Sequence, residues 1–303
     1  MAKTAIFFAG QGAQYVGMGR QLYDTYQEAR GIFDKAADVL QFDVKKLCFE
    51  GPQEELDKTI NTQPATFTLN MAIYAVLGQP KASFLAGHSL GEVCAVVASG
   101  ALVFEKGLEL VKQRALFMEE QALKNKGGMI AVIGLAPEKI EELLKPLKGL
   151  YLSNYNSPMQ TTISGSKEDL GKAKGILKDK ARLVVDLAVG GAFHSPYMQE
   201  AAEKFGNYLT NTEIDDAQCP VIANMDAKPK QSSAEIREAL AKQISAPVEF
   251  VRTLNFLQEQ GVDKFIEVGP GKVLTNLIKR TLPNALTFST ETIDSLEATL
   301  NNL

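Results

Sequence analysis

Residues 86–92 read AGHSLGE, and how that serine is read decides what kind of chain this is. Ser89 lies between Gly87 and Gly91, follows one of only two histidines, and is led in by the apolar run SFLAG at 83–87. A buried strand, then G-x-S-x-G, then a helix from Leu90 to Ser99 is the nucleophile-elbow pattern: the glycines leave room for a tight turn and the hydroxyl points out of the sheet. The alternative is that Ser89 caps the helix by satisfying a free amide. The pentapeptide alone leaves both open.

The same strand–glycine–helix order recurs on either side. AIFFAG at 5–10 is followed by a helical pattern from about Tyr15 to Leu40, and DKFIEVGPGKVLTNLIKR at 263–280 repeats the arrangement. Alternation of this kind predicts an α/β fold with a mainly parallel sheet. Between Gly128 and Gly190 the rhythm changes. MIAVIGL, PEKIEELLKPL, LYLSNYN, QTTISGS, KEDLGKAKGILKD and ARLVVDL read as βαββαβ, the ferredoxin-like order. The expected organisation is a large α/β domain, residues 1–126 and 192–303, carrying an inserted ferredoxin-like subdomain, 127–191. Glycine pairs at 127–128 and 190–191 serve as hinges, and a cleft between the two units is where a ligand belongs.

Composition narrows the function. With 303 residues and 45% hydrophobic content the chain can fill a sizeable core. The 36 acidic and 32 basic residues are spread without a basic block, so nucleic acid is not an expected partner. Cys48, Cys94 and Cys219 are odd in number and far apart, which fits a reducing compartment. The apolar run near the N-terminus is too short for a signal-peptide core or a membrane span. A cytoplasmic protein with no membrane association is expected, and no metal-ligand cluster is visible.

A serine hydroxyl needs a base, and only His88 and His194 are available. Side chains of successive residues diverge around an elbow, so His88 reads as a packing or hydrogen-bonding residue of the turn. His194, in VGGAFHSPYM where the chain returns to the large domain, is the better base. Its second ring nitrogen needs an acceptor. Asp186 or a backbone carbonyl would serve. The stretch FFAGQGAQYVGMG at 7–19 fails as a nucleotide site: Tyr15 stands where the dinucleotide fingerprint needs glycine, and Met18 where a phosphate loop needs lysine. Gln11, between two glycines at the end of the first strand, offers its backbone amide for an oxyanion, or is part of a plain glycine turn. On a helix from Phe104 to Ala122, Arg114 falls on the apolar half with Leu108, Leu110, Val111, Ala115, Phe117 and Met118. A buried guanidinium keeps its charge and needs an anionic partner, either a protein carboxylate or the substrate.

AGQGAQ at 9–14, TQPA at 62–65, GHSLGE at 87–92, QRALFM at 113–118, NSPMQTTISG at 156–165, GAFHSP at 191–196 and EVGPGKVLTNLIKR at 267–280 together resemble the malonyl-CoA:acyl-carrier-protein transacylases of fatty-acid and polyketide synthesis. That resemblance implies Ser89 as nucleophile, His194 as general base, Arg114 as clamp for the malonyl carboxylate, and an oxyanion hole from Gln11 and the amide of Leu90. It places Gln63, Met118, Phe193, His88 and Asn156 around the substrate, with the Phe193 ring crowding a methylmalonyl group. It gives the orientation of His194 to a main-chain carbonyl at Gln243. The implied partners are malonyl-CoA and an acidic acyl carrier protein, docked on Lys272, Lys279 and Arg280. The coenzyme A thioester is a substrate; no cofactor is implied. The family fold, a hydrolase-like α/β domain with a ferredoxin-like insertion, agrees with the pattern. A monomer is the default expectation. A serine hydrolase using the same Ser–His pair, and a non-catalytic docking module, are the competing classes.

Overall fold

In the computed structural model, which describes residues 3–303, the run Lys3–Phe8 forms strand β1, and its apolar stretch Ala5–Phe8 shows why such a segment makes a central strand. Alternate side chains face opposite ways. Ile6 and Phe8 enter one core, Ala5 and Phe7 another, so both faces of the strand are covered. Phe7 meets Phe250 edge-to-face at 5.5 Å. Phe7 and Phe8 are wholly buried, and each contributes roughly 1.5–3 kcal/mol. Met1 and Ala2, with which the large-domain reading begins, lie outside the described residues.

The remaining strands are β2 (Phe84–Gly87), β3 (Gly127–Ile133), β4 (Leu150–Ser157), β5 (Gln160–Ser166), β6 (Leu183–Asp186), β7 (Val221–Ile222), β8 (Pro229–Lys230), β9 (Val262–Val268) and β10 (Leu286–Ser289). They form two sheets. The larger has the order β10–β9–β1–β2–β7–β8 and is parallel except for the β7–β8 pair. The smaller is antiparallel in the order β4–β5–β3–β6, with helices Pro137–Leu144 and Lys167–Leu177 packed on it around Ile130, Val132, Ile140, Ile163 and Leu177. Along the chain this sheet is βαββαβ, as its sequence predicts. Its β4 leans on the larger unit through helices Phe250–Glu259 and Val273–Thr281, and Asn154 bridges to Val248.

One expectation is corrected. The helical pattern from Tyr15 to Leu40 divides into Arg20–Thr25 and Gln27–Leu40. Gly17 and Gly19 hold φ of 100° and 79°, so the chain turns before it can wind, and extended Tyr26 separates the two helices. Among the described residues no helix is long and apolar enough to cross a membrane.

Candidate active site

The turn between β2 and helix Leu90–Ala98 has no room for side chains at its two glycines. A Cβ on Gly87 would sit 2.0 Å from the Gly91 carbonyl carbon, and one on Gly91 2.0 Å from the Phe8 oxygen. Ser89 between them adopts φ 53° and ψ −109°, a conformation costing a non-glycine residue on the order of 1–3 kcal/mol. Asn224 offsets that strain: its Oδ1 accepts the Ser89 N–H at 2.7 Å and its Nδ2 donates to the Gly87 carbonyl at 2.7 Å. The Ser89 hydroxyl makes no capping bond to the helix, which removes the capping alternative.

That hydroxyl lies 2.7 Å from His194 Nε2. On the other side of the imidazole, Nδ1 faces the carbonyl oxygens of Gln243 at 3.0 Å and Ala246 at 3.2 Å. Carbonyls only accept, so Nδ1 carries the proton and Nε2 is left as the acceptor. Asp186 is elsewhere, on the surface and paired with Lys174 at 2.9 Å; of the two sequence-level choices the backbone carbonyl holds. Burial drives the His194 pKa down to about 3, with the Arg114 and His88 charges adding to the effect, so the imidazole is neutral at physiological pH. His88 does not reach the hydroxyl. Its Nε2–H donates to Asn156 Oδ1 at 2.9 Å, and its ring packs on Phe250.

Arg114, 1% exposed, reaches the same hydroxyl: Nη2 donates to Ser89 Oγ at 3.1 Å. With Oγ accepting from the guanidinium, its own hydrogen is directed to His194 Nε2. Nη1 donates to Gln63 Oε1 at 2.7 Å and Nη2 also to Gln243 Oε1 at 2.8 Å, while Nε–H has no partner. All three acceptors are neutral, so no protein carboxylate binds the charge directly. Burial lowers the Arg114 pKa to about 10, against which the nearby Glu92 carboxylate acts. The Gln63 amide in turn donates to Met118 Sδ at 3.3 Å, and Phe193 is buried with its carbonyl accepting from Ser164 Oγ at 2.6 Å.

A cleft of about 450 Å³ opens on the His88 side of the elbow, lined by Gln11, His88, Asn156 and Leu187 among others; Ser89, His194 and Arg114 are not part of its lining. Its walls come from the smaller sheet on one side and, on the other, from the loops that follow β1 and β2 and from helix Val273–Thr281. Gln11 follows the C-terminal end of β1, whose Phe8 pairs with Gly87 at the base of the elbow. The Gln11 side chain turns away to Thr59 Oγ1 at 3.4 Å. Neither the Gln11 nor the Leu90 backbone N–H donates to an acceptor among the described residues. A strained serine on a neutral, oriented imidazole, with free amides and a buried cation beside it, is an arrangement for acyl transfer.

Residues 6–296 match the acyl transferase domain family. A malonyl CoA-acyl carrier protein transacylase of Bacillus subtilis (strain 168) is 37% identical over 310 residues, spanning 100% of this chain and 98% of that protein. The chain belongs to the malonyl CoA-acyl carrier protein transacylase family. A further relative of that name, from Staphylococcus aureus (strain MRSA252), is 38% identical and covers 98% of each chain. Two solved structures align closely. The transacylase of Coxiella burnetii gives a TM-score of 0.95 at 36% identity, covering 100% of this chain and 98% of that one. The malonyl-transacylase solved in complex with a type II PKS acyl-carrier protein gives 0.96 at 36%, covering all of both chains.

The basic residues expected to dock a partner of this transacylase share one element. Lys272 caps, and Lys279 and Arg280 end, the helix Val273–Thr281, whose Leu274 and Leu277 line the cleft. Lys272 is 3.6 Å from Glu291, and Arg280 donates to Gln160 Oε1 at 2.7 Å. Two groups of the transacylase site escaped the sequence reading. Asn224 braces the elbow, and Glu92, within the GHSLGE motif itself, is buried and accepts from the Asn224 N–H and the Gln243 amide. The one available signal was a lone acid in a helix apolar on every side, Leu90, Val93, Cys94, Ala95 and Val96 all being buried around it.

Proposed function

We propose that this chain transfers a malonyl group from coenzyme A to the phosphopantetheine thiol of an acyl carrier protein, in fatty-acid or polyketide synthesis, through a malonyl ester on Ser89. His194 Nε2 takes the hydroxyl proton as Oγ attacks the thioester carbonyl. The oxyanion forms against the amides of Gln11 and Leu90, the C–S bond breaks, and the coenzyme A sulfur leaves with the proton from Nε2. In the second half the carrier thiol gives its proton to Nε2 and attacks the ester, and Ser89 leaves reprotonated. No oxidation state changes and every proton has a carrier, so the scheme calls for no metal or redox cofactor.

In this reading Arg114 pairs the malonyl carboxylate, its unpartnered Nε–H among the donors. Gln63, itself held by Met118, holds the guanidinium at Nη1, Phe193 limits what the α-carbon carries, and His88 and Asn156 form the cleft wall along the thioester arm. The acidic carrier docks over Lys272, Lys279 and Arg280. Residues 127–191 act as a subdomain whose Asn156 closes one side of the cleft on 1–126 and 192–303. Free Cys48, Cys94 and Cys219 support a cytoplasmic location.

The observation that carries the proposal is a hydroxyl 2.7 Å from a neutral imidazole and 3.1 Å from a buried guanidinium whose protein acceptors are all neutral. Intact mass after mixing with malonyl-CoA tests it. The protein gains one malonyl group that persists until a carrier thiol is added, and Ser89→Ala gains none. Loss of the adduct to water alone makes the protein a hydrolase, and no adduct at all removes the enzymatic reading.

A further inference from the structure

Around the elbow, Glu92 is a buried carboxylate for which the transfer scheme has no task. It stands three residues after Ser89, 2% exposed, and its Oε2 accepts from the Asn224 backbone N–H at 2.9 Å and from Gln243 Nε2 at 2.7 Å. The Gln243 amide is otherwise committed too: Nε2 also donates to the Ser89 carbonyl at 2.9 Å, and Oε1 accepts from Arg114 Nη2 at 2.8 Å. A primary amide can turn over, exchanging its oxygen for its nitrogen. Turned over, Gln243 would set two donors against each other at Arg114 and two acceptors against each other at Glu92. Glu92 Oε2 is already fixed as an acceptor by the Asn224 backbone N–H, and a carboxyl proton would sit on the other oxygen, so Oε2 selects the orientation found.

We propose that Glu92 is a positioning residue for acyl-group selection: it fixes the Gln243 amide with its oxygen toward Arg114, and so aims the guanidinium at the terminal carboxylate of the acyl group. The inference rests on the malonyl reading above. Two branches leave Glu92, and they have different consequences. The branch through Asn224 braces the elbow and affects every acyl group alike, because it acts on Ser89. The branch through Gln243 and Arg114 affects only acyl groups that carry a carboxylate. The backbone carbonyl of Gln243, which holds His194, is placed by the end of helix Ser233–Gln243 and does not depend on which way the amide faces.

The test is the ratio of kcat/KM for malonyl-CoA to that for acetyl-CoA, measured on variants whose folding is checked by thermal melting. Glu92→Gln can keep both bonds through its amide oxygen, and its ratio stays within about threefold of the unsubstituted protein. Glu92→Leu removes the acceptor, and the ratio falls roughly tenfold or more, the scale of effect for a binding group displaced by about 1 Å. Should Glu92→Leu not fold, Glu92→Asp withdraws the carboxylate by one methylene and lowers the ratio in the same direction. If the Leu or Asp variant loses malonyl and acetyl rates together, with the ratio unmoved, Glu92 only braces the elbow and the proposal is overturned. It is overturned equally if Glu92→Gln loses the ratio as far as Glu92→Leu does, since charge and not orientation is then what matters. An unsubstituted protein with no preference for malonyl is a different failure: it removes the malonyl reading itself.

Discussion

Replacing Arg114 with Ala separates the attraction for one acyl group from the machinery common to all. In the free site the guanidinium makes three hydrogen bonds, to Gln63, Gln243 and Ser89, and keeps Nε–H unpartnered. A malonyl carboxylate adds charge-assisted bonds worth about 1.5–3 kcal/mol each, partly offset by release of the Ser89 contact. A net gain of about 3–4 kcal/mol follows, so Arg114→Ala lowers kcat/KM for malonyl-CoA by roughly 10²–10³. Acetyl-CoA gains nothing from the cation, and because it leaves the three neutral acceptors and the unpartnered Nε–H as they are in the free site, it strands no further group. Acetyl transfer therefore holds, or rises modestly, since Arg114 is one of the charges depressing the His194 pKa and its removal makes the base stronger. Stopped-flow acylation with each thioester gives both constants on one preparation. Equal losses for malonyl and acetyl refute the reasoning and make Arg114 structural.

Three further outcomes follow from the same geometry. His194→Ala slows acylation by a factor on the order of 10²–10⁴, the usual share of a positioned base; a rate within about tenfold of the unsubstituted enzyme hands the role to His88. Burial raises the Glu92 pKa from 4.5 to about 7, so the folded state binds the extra proton and its stabilising contribution is lost as pH climbs through that interval. Chemical denaturation of the enzyme and of Glu92→Gln from pH 4.5 to 7.5 shows the difference shrinking against the native protein, and a growing difference contradicts the shift. Charge reversal at Lys272, Lys279 and Arg280 raises the carrier protein's KM and flattens its salt dependence, with a smaller effect on malonyl-CoA; unchanged carrier kinetics eliminates this helix as the docking surface.

What the sequence disclosed, and what it hid, divides by the range of the interaction. The elbow is legible because its requirement is local: two glycines four residues apart are needed where an added Cβ would lie 2.0 Å from neighbouring backbone atoms, and no other residue fits. The βαββαβ insertion is legible from period and order alone. The early helix start at Tyr15 went wrong because counting apolar positions takes no account of left-handed Gly17 and Gly19. Asn224 was out of reach. It touches Ser89 across 135 residues, carried there by β7, a strand of two residues with no pattern to read, and only the β2–β7 pairing brings it to the turn.

Arg114 shows the boundary most clearly. Helical periodicity places its charge in the core, yet leaves its partner as either a protein carboxylate or the substrate. The structure has a third arrangement: amide oxygens of Gln63 and Gln243 in direct contact, with a carboxylate one amide further back at Glu92. Neutral acceptors hold both Nη groups, leave Nε–H open and leave the charge uncompensated, whereas a glutamate in place of either glutamine would neutralise it before any ligand arrived. A site meant to hold an anionic acyl group must keep its cation buried, hydrogen-bonded and uncompensated at once, and two glutamines with an acid behind one of them meet all three conditions.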